Sequence, residues 1–141
     1  MTRKGLLVAT GAGLAWLLTR KATPPKPNVA IGSLFYASRV YDSETQEIRY
    51  RIYNRGATEV SVSSTVLLNN VYQSHISFAR TAPERSILAD QFFAETVRFN
   101  PADYDILSWP RGTYRIRIEI FLKGNRTPVA TDESVGTIEV V

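Results

Sequence analysis

Hydrophobic and polar residues alternate along residues 112–123. The apolar set is Tyr114, Ile116, Ile118, Ile120 and Leu122, and the residues between them are Arg115, Arg117, Glu119 and Phe121. Because successive side chains of a β-strand point to opposite faces, this period of two predicts a long strand with one buried and one solvated face. The apolar row then needs a second sheet to cover it.

The same period recurs in other parts of the chain. Isoleucine and tyrosine alternate with arginine in residues 47–54, and residues 58–68 place Val60, Val62 and Val66 on one face. Both patterns predict half-buried strands. Further strands are predicted over residues 29–38, 71–78 and 128–141 and near residues 95–99.

Turn-forming residues separate the predicted strands. The sequence Asn54-Arg-Gly56 is typical of a turn, and Asn69-Asn70 predicts a tight hairpin. Residues 82–84 are predicted to form a loop. Each of these breaks delimits one of the strands above.

The number and spacing of these elements predict the fold class. About seven strands with one short helical segment indicate an all-β, seven-stranded antiparallel sandwich of the immunoglobulin/fibronectin-like type. The helical segment is predicted to begin with Asn100 as N-cap and Pro101 in the first turn, and to end before Pro110.

Residues 5–19 form an uncharged, mostly apolar run between Arg3-Lys4 and Arg20-Lys21. As a helix this run spans roughly 22 Å, against about 30 Å for the hydrocarbon core of a bilayer. We therefore predict a short, uncleaved membrane helix whose flanking cations reach the interfaces. The apolar anchor residues are Leu6, Leu7, Val8, Leu14, Trp16, Leu17 and Leu18. A cleaved secretory signal and a buried soluble helix are the alternatives.

Three prolines within residues 24–27 predict an extended, stiff linker. The predicted organisation is therefore a hydrophobic anchor helix with basic flanks at residues 1–21, a proline-rich linker at 22–28 and a β-sandwich domain at 29–141. The linker would hold the domain at a short distance from the bilayer.

The charge distribution argues against nucleic acid as a partner. The chain has a formal net charge of +4. Residues 1–27 carry five basic and no acidic side chains, whereas residues 28–141 carry twelve basic and thirteen acidic ones. The basic character thus belongs to the leader, and the domain has no net positive field for nucleic acid.

No arrangement of residues predicts catalysis, a cofactor or a metal site. The chain has no cysteine and one histidine, His75, which excludes thiolate chemistry and multi-histidine zinc sites. The pairs Asp103/Asp105 and Asp132/Glu133 supply too few ligands for a calcium loop. We therefore predict a protein that is not an enzyme, and a hydrolase or sugar-binding enzyme subunit is disfavoured.

Arginine dominates the basic residues of the domain, since eleven of the twelve are arginine. Arginine forms planar, bidentate contacts and is enriched at interfaces. The strand periodicity places several arginines and aromatic residues on outward faces, which predicts a protein-docking face. Its residues are Arg49, Arg51, Tyr53, Arg115, Arg117 and Phe121. The alternative is a solvated sheet face with arginines paired to Glu47, Glu95 or Glu119.

Several strand sequences resemble the late-embryogenesis-abundant type 2 (water-stress) domain. They are PNVAIGSL at residues 27–34, IRYRIYN at 48–54, VSVSSTVLLN at 60–69, YRIRIEI at 114–120 and GTIEV at 136–140. The chain is nearly as similar to bacterial cell-surface immunoglobulin-like adhesion modules, through Asn54-Arg-Gly56 and Gly112-Thr-Tyr114. Both resemblances imply binding, spacing or structural roles and bring no catalytic residue.

The sequence thus predicts a membrane-anchored β-sandwich that acts as a structural or protein-interaction module. Its expected partners are the lipid bilayer, through residues 5–19, and a protein. The expected location is a cell envelope. The alternative is a minor virion protein of a membrane-containing phage, which links the virion membrane to the capsid.

Overall fold

The computed structural model describes residues 27–141, except for the side chains of Ser134 and Val135. The predicted anchor at residues 1–21 and most of the linker at residues 22–28 lie outside the described residues. Structural statements about the leader therefore remain predictions.

The described part of the chain folds into eight β-strands and one short 3-10 helix. The strands are β1 (Val29–Tyr36), β2 (Arg39–Val40), β3 (Gln46–Asn54), β4 (Val60–Asn70), β5 (Ser77–Ile87), β6 (Phe92–Phe99), β7 (Gly112–Leu122) and β8 (Ala130–Val140). The 3-10 helix, Pro101–Tyr104, lies between β6 and β7. Among residues 27–141, no helix is long and apolar enough to span a bilayer.

Two sheets pack face to face as an immunoglobulin-like β-sandwich. One sheet has the order β1-β3-β6 and the other the order β2-β8-β7-β4-β5. The prediction of seven antiparallel strands differs from the structure in one respect, because a two-residue eighth strand, β2, follows the first predicted strand and joins the other sheet in parallel. After Tyr36 the chain crosses over, and Arg39 and Val40 pair in parallel with the end of β8.

The alternating pattern of the sequence places one face of each central strand in the core. Ile116, Ile118 and Ile120 of β7 are fully buried, as are Ile48 and Ile52 of β3. Every second residue of β4 from Val60 to Asn70 is also buried. The predicted inward faces of these three strands are confirmed.

The turn between β4 and β5 lies further along the chain than predicted. β4 continues through Asn69 and Asn70, so the predicted hairpin at these residues is wrong. The buried Asn70 Oδ1 accepts hydrogen bonds from the backbone N–H groups of Tyr72 and Gln73, which holds a longer turn. Such local side-chain bonding allows asparagine to end a strand and support the next turn.

Residues 82–84, predicted as a loop, lie inside β5. Pro83 has no backbone N–H, but β5 is an edge strand and pairs only with β4. The β4–β5 register also shifts between Val62 and Ser64, beside this proline. An edge position or a bulge is where proline is compatible with a strand.

Asn100 caps the 3-10 helix as predicted, because its Oδ1 accepts a hydrogen bond from Ala102 N. The helix ends at Tyr104, since Asp105 adopts a left-handed conformation. The Tyr114 hydroxyl then donates to the carbonyl oxygen of Pro110 at 2.6 Å. This tyrosine corner fixes the start of β7, as in other immunoglobulin-like sandwiches.

The linker joins the sandwich at one of its two ends. Val29 pairs with Asn54, and Arg55 N–H donates to the carbonyl oxygen of Asn28 at 2.8 Å. We call this end the linker end, and its loops are residues 55–59, 88–91 and 123–129. The opposite end carries the loops at residues 41–45, 71–76 and 100–111.

Candidate docking surface

The predicted docking residues occupy the outward faces of two different sheets. Arg49, Arg51 and Tyr53 alternate with the buried residues of β3, the central strand of the three-stranded sheet. Arg115, Arg117 and Phe121 alternate with the buried residues of β7 in the five-stranded sheet. Because the core separates the two sheets, the structure divides the predicted face into two faces on opposite sides of the sandwich.

Arg117 of the β7 set is paired with two carboxylates. Arg117 Nε lies 3.0 Å from Glu119 Oε2, and Arg117 Nη1 lies 3.7 Å from Glu133. Phe121 is four positions along the strand from Arg117, which is about 13 Å. Arg117 therefore matches the alternative of a solvated face with paired arginines, and Phe121 lies too far away to form one cluster with it.

The β3 set is packed together with aromatic rings. The Tyr53 and Phe92 ring centroids are 5.6 Å apart, and the Arg51 guanidinium lies 4.4 Å from the Phe92 centroid. Arg55 lies over Tyr53 at 5.2 Å. Stacking on a ring holds the plane of a guanidinium while its in-plane N–H groups stay available for a ligand.

Tyr53 is held by contacts on both neighbouring sides. Its hydroxyl and Ser33 Oγ are 3.1 Å apart, within hydrogen-bond distance. This hydrogen bond, together with Arg51, lowers the pKa of Tyr53. The ring is thus oriented by the edge strand β1 on one side and by Phe92 of β6 on the other.

Glu47 is the only carboxylate on the outward face of the three-stranded sheet, as far as β1, β3 and β6 are concerned. It lies 2.7 Å from Arg49 Nη2 and 2.8 Å from Arg98 Nε. The hydrogen bond from Arg49 is the main cause that lowers the pKa of Glu47. Three arginines, Arg49, Arg51 and Arg98, therefore share this face with one carboxylate. Arg51 forms no ion pair with the described residues, so the face is cationic.

A bulge in β1 adds an aromatic residue that strict alternation does not predict. The pairing with β3 shifts between Gly32 and Phe35, and Ser33 has a φ of 53°. The shift moves Phe35 to the outward face opposite Arg49, where 69% of its surface is exposed. A glycine within a strand is a sequence signal for such a bulge.

Phe92 is the second residue that sequence analysis missed. It is 48% exposed, whereas the next residue, Phe93, is partly buried against the core. The doublet Phe92-Phe93 carried the signal, because neighbouring residues of a strand point to opposite faces. Phe35, Arg49, Arg51, Tyr53 and Phe92 together form what we call the arginine–aromatic surface.

Shallow hollows lie on both sides of Phe35. One, of about 300 Å³, is bounded by Phe35, Arg49 and Arg51 on the outward face. The other, of about 530 Å³, is bounded by Phe35, Arg39 and Gln46 near the gap between the sheets. An exposed aromatic ring beside hollows and arginines has the composition of an interface hot spot.

The acidic residues and the single histidine of the described chain are the side chains that could hold a metal ion. They contain no group of three or more histidine, aspartate or glutamate side chains placed to hold a metal ion. His75 is exposed and lies in the turn after β4 rather than in the predicted strand. The arrangement that the structure does build is a packed cationic and aromatic surface on the three-stranded sheet.

Comparison with protein-family models finds no family that matches this chain. Comparison with curated protein sequences also finds no match.

Comparison with solved structures finds similar folds. One is the CARDB domain of a Pyrococcus furiosus protein, crystallised in complex with di-metal ions. It is 17% identical to this chain, and the match covers 83% of this chain and 90% of that domain with a TM-score of 0.55. A β-glucosidase from Listeria innocua in complex with glucose is 12% identical, with a TM-score of 0.58 over 81% of this chain. Red sea bream transglutaminase is 15% identical, with a TM-score of 0.52 over 92% of this chain.

These similarities show the fold and not the activity. The chain spans 16% of the β-glucosidase and 19% of the transglutaminase, so it matches one part of each enzyme. The CARDB domain is of similar length and is an immunoglobulin-like sandwich. The immunoglobulin-like fold is thus supported, which agrees with the predicted likeness to adhesion modules.

Proposed function

We propose that the protein is a non-enzymatic interaction module that is anchored in a bilayer and binds a protein partner through the arginine–aromatic surface. The observation that carries this proposal is the packing of Arg51 on Phe92 and of Tyr53 between Ser33 and Phe92. A surface that is ordered before binding loses less conformational entropy on association. Arginine and aromatic side chains are also the residues most enriched among interface hot spots.

The partner is expected to present carboxylates to this surface. Three arginines face a single carboxylate, Glu47, so association with an acidic partner is favoured electrostatically. The likeness to a CARDB domain supports a structural or interaction role for the sandwich. Phe35 and Phe92 supply the apolar area that such a contact also needs.

Residues 5–19 are proposed to hold the module at a membrane. The apolar run between basic pairs supports this anchor, and so does the resemblance to the late-embryogenesis-abundant type 2 domain, whose members often carry a membrane segment before the sandwich. The bilayer belongs either to a cell envelope or to the virion of a membrane-containing phage. In the second case the partner is a capsid protein.

The test of the docking surface compares the two faces that the structure separates. We expect Arg49→Ala with Arg51→Ala to weaken association with the native partner by about 30-fold, as for hot-spot residues. The matched control, Arg115→Ala with Arg117→Ala, removes the same number of arginines from the opposite face. The measurement is co-purification of the partner with the full-length chain, or incorporation into particles, after circular dichroism has shown that both variants are folded.

Equal loss of partner association in both double variants would contradict a specific surface. Loss in the β7 variant alone would assign the interface to the other face.

The membrane anchor is tested separately. We expect the full-length chain to stay with lipid after a carbonate wash and to keep an amino terminus at or next to Met1. A new amino terminus near Ala22, found by mass spectrometry, would show a cleaved signal instead.

A further inference from the structure

The loops of the linker end carry cations that the rest of the domain does not neutralise. Arg55, Lys123 and Arg126 are exposed, and none of them forms an ion pair with another residue of the described chain. Arg55 is held over the ring of Tyr53. The same loops contain two carboxylates, Glu59 and Asp90.

The loops of the opposite end have the reverse balance. They carry four carboxylates, Asp42, Glu44, Asp103 and Asp105, of which Asp103 is paired with Arg80 of β5 at 2.6 Å. Their one arginine, Arg111, is paired with Asp42 at 3.1 Å. The sandwich is therefore polarised along its length, with the cationic end at the point where the linker joins.

An exposed apolar side chain lies within the cationic end. Leu88 follows β5 directly and is 61% exposed. Its loop is fixed to the sandwich, because Gln91 N–H donates to the carbonyl oxygen of Leu88 and Asn54 N–H donates to that of Gln91. Exposed cations and an exposed leucine at the same end of a domain are features of surfaces that bind the interface of an anionic bilayer.

The linker keeps this end close to the proposed anchor. Residues 22–28 number seven, and an extended proline-rich segment covers about 3.1 Å per residue, which gives roughly 22 Å. An extended linker would therefore set an upper limit of roughly 22 Å on the distance between the linker end and the end of the proposed anchor. A linker that lies along the membrane surface would bring the cations within a Debye length of about 8 Å from the headgroups.

We propose that the linker end is itself a membrane-contacting surface, which binds anionic lipid headgroups through Arg55, Lys123 and Arg126 and inserts Leu88 at the interface. The proposal rests on the anchor in the proposed function. It orients the sandwich upright on the bilayer, with the arginine–aromatic surface facing sideways. The partner would then approach parallel to the membrane.

The experiment uses the full-length chain, whose lack of cysteine allows single-site labelling. Ala57→Cys places a fluorescent probe in a linker-end loop, and the matched control, Ser43→Cys, places it in an exposed loop of the opposite end. Each labelled protein is incorporated into phosphatidylcholine nanodiscs with and without phosphatidylglycerol. The measurement is collisional quenching of the probe by acrylamide, a neutral quencher.

We expect position 57 to be protected from quenching in nanodiscs that contain phosphatidylglycerol, and position 43 to stay accessible in both lipids. The double variant Lys123→Glu with Arg126→Glu should restore quenching at position 57. Each cation lost near an anionic surface lowers the ratio of docked to undocked protein about fivefold. The control, Arg39→Glu with Arg115→Glu, makes the same change in net charge away from the linker end and should leave the protection intact.

Three results would overturn the proposal. Equal protection of positions 57 and 43 in a protein that co-elutes with nanodiscs would leave the anchor intact and contradict only the contact. Protection that does not depend on phosphatidylglycerol, or that both charge reversals abolish equally, would point to self-association or to net charge instead. Failure of the chain to co-elute with nanodiscs would contradict the anchor itself, and this proposal with it.

Discussion

Tyr50 lies between the two sheets and forms one of the polar contacts inside the core. Its hydroxyl is hydrogen-bonded to Ser64 Oγ, so a side chain of β3 contacts a side chain of β4 in the facing sheet. Both residues are 1% exposed. Burial raises the pKa of Tyr50 to about 12, because the phenolate loses its hydration in the core.

This shift predicts a loss of stability at alkaline pH. Below the ordinary tyrosine pKa of 10.0 the residue is neutral in the folded and unfolded chains, and its burial stabilises the fold fully. As the pH rises from 10.0 towards about 12, the unfolded chain ionises first and this stabilisation is lost. Desolvation also raises the pKa values of the partly buried Tyr104 and the buried Tyr114, which act in the same direction.

Tyr50→Phe isolates the contribution of this one hydroxyl. We expect the variant to be less stable at neutral pH by about 1–3 kcal/mol, because Ser64 loses its partner. Its free energy of unfolding should then fall less steeply than that of the wild type between pH 10.0 and about 12. The measurement is urea denaturation across this range, and parallel curves for the two proteins would contradict the assignment.

At the scale of the elements, one ion pair joins the edges of the two sheets. Arg85 of β5 forms a bidentate pair with Glu95 of β6, at 3.0 Å and 3.2 Å. Glu95 is 4% exposed, and the Arg85 guanidinium also lies 4.5 Å from the centroid of Phe93. Because β5 and β6 belong to different sheets, this pair closes one side of the sandwich.

Removal of one partner should cost more than removal of both. Arg85→Met leaves the Glu95 carboxylate buried without its cation, which should destabilise the fold by about 3 kcal/mol. The double variant Arg85→Met with Glu95→Leu should recover most of that loss. Arg98→Met, which breaks an exposed pair with Glu47, is the matched control and should cost less than about 1 kcal/mol. Equal costs for Arg85→Met and Arg98→Met would show that the buried pair has no special role.

The sequence predicted the strands whose alternation is uninterrupted and missed the features that interrupt it. β3, β4 and β7 lie where the period of two placed them, because each buries one complete face. The bulge at Ser33 changes which face Phe35 occupies, and no alternation rule predicts such a change. Asn70 ends β4 through bonds to the following turn, whereas its side-chain chemistry alone also suited a tight hairpin.

At the scale of the whole molecule, the assignment of strands to sheets decides which outward residues share a face. Alternation predicted correctly that Arg51 and Arg117 point outward. The sheet that a strand joins is decided by long-range pairing, such as that of β3 with β6. The spacing of arginines along the sequence does not predict this pairing. The predicted face was therefore split, and its β3 half gained Phe35 and Phe92 from neighbouring strands.

The domain boundary gives the last prediction. The buried hydrophobic residues of the described chain extend from Val29 to Val140 and form one cluster. We therefore expect residues 27–141, expressed without the leader, to be soluble and folded, with a far-UV spectrum typical of β-structure.

The truncated domain should also respond to core substitutions as an intact fold does. Ile118→Ala should lower its free energy of unfolding by about 2–5 kcal/mol, because it leaves a cavity between the sheets at a fully buried position. The neighbouring Arg117→Ala should cost less than about 1 kcal/mol, because that side chain is outward and its ion pairs are partly solvated. A random-coil spectrum for the truncated chain would mean that the sandwich depends on residues 1–26. Equal costs for the two substitutions would instead contradict the register that places Ile118 inward and Arg117 outward.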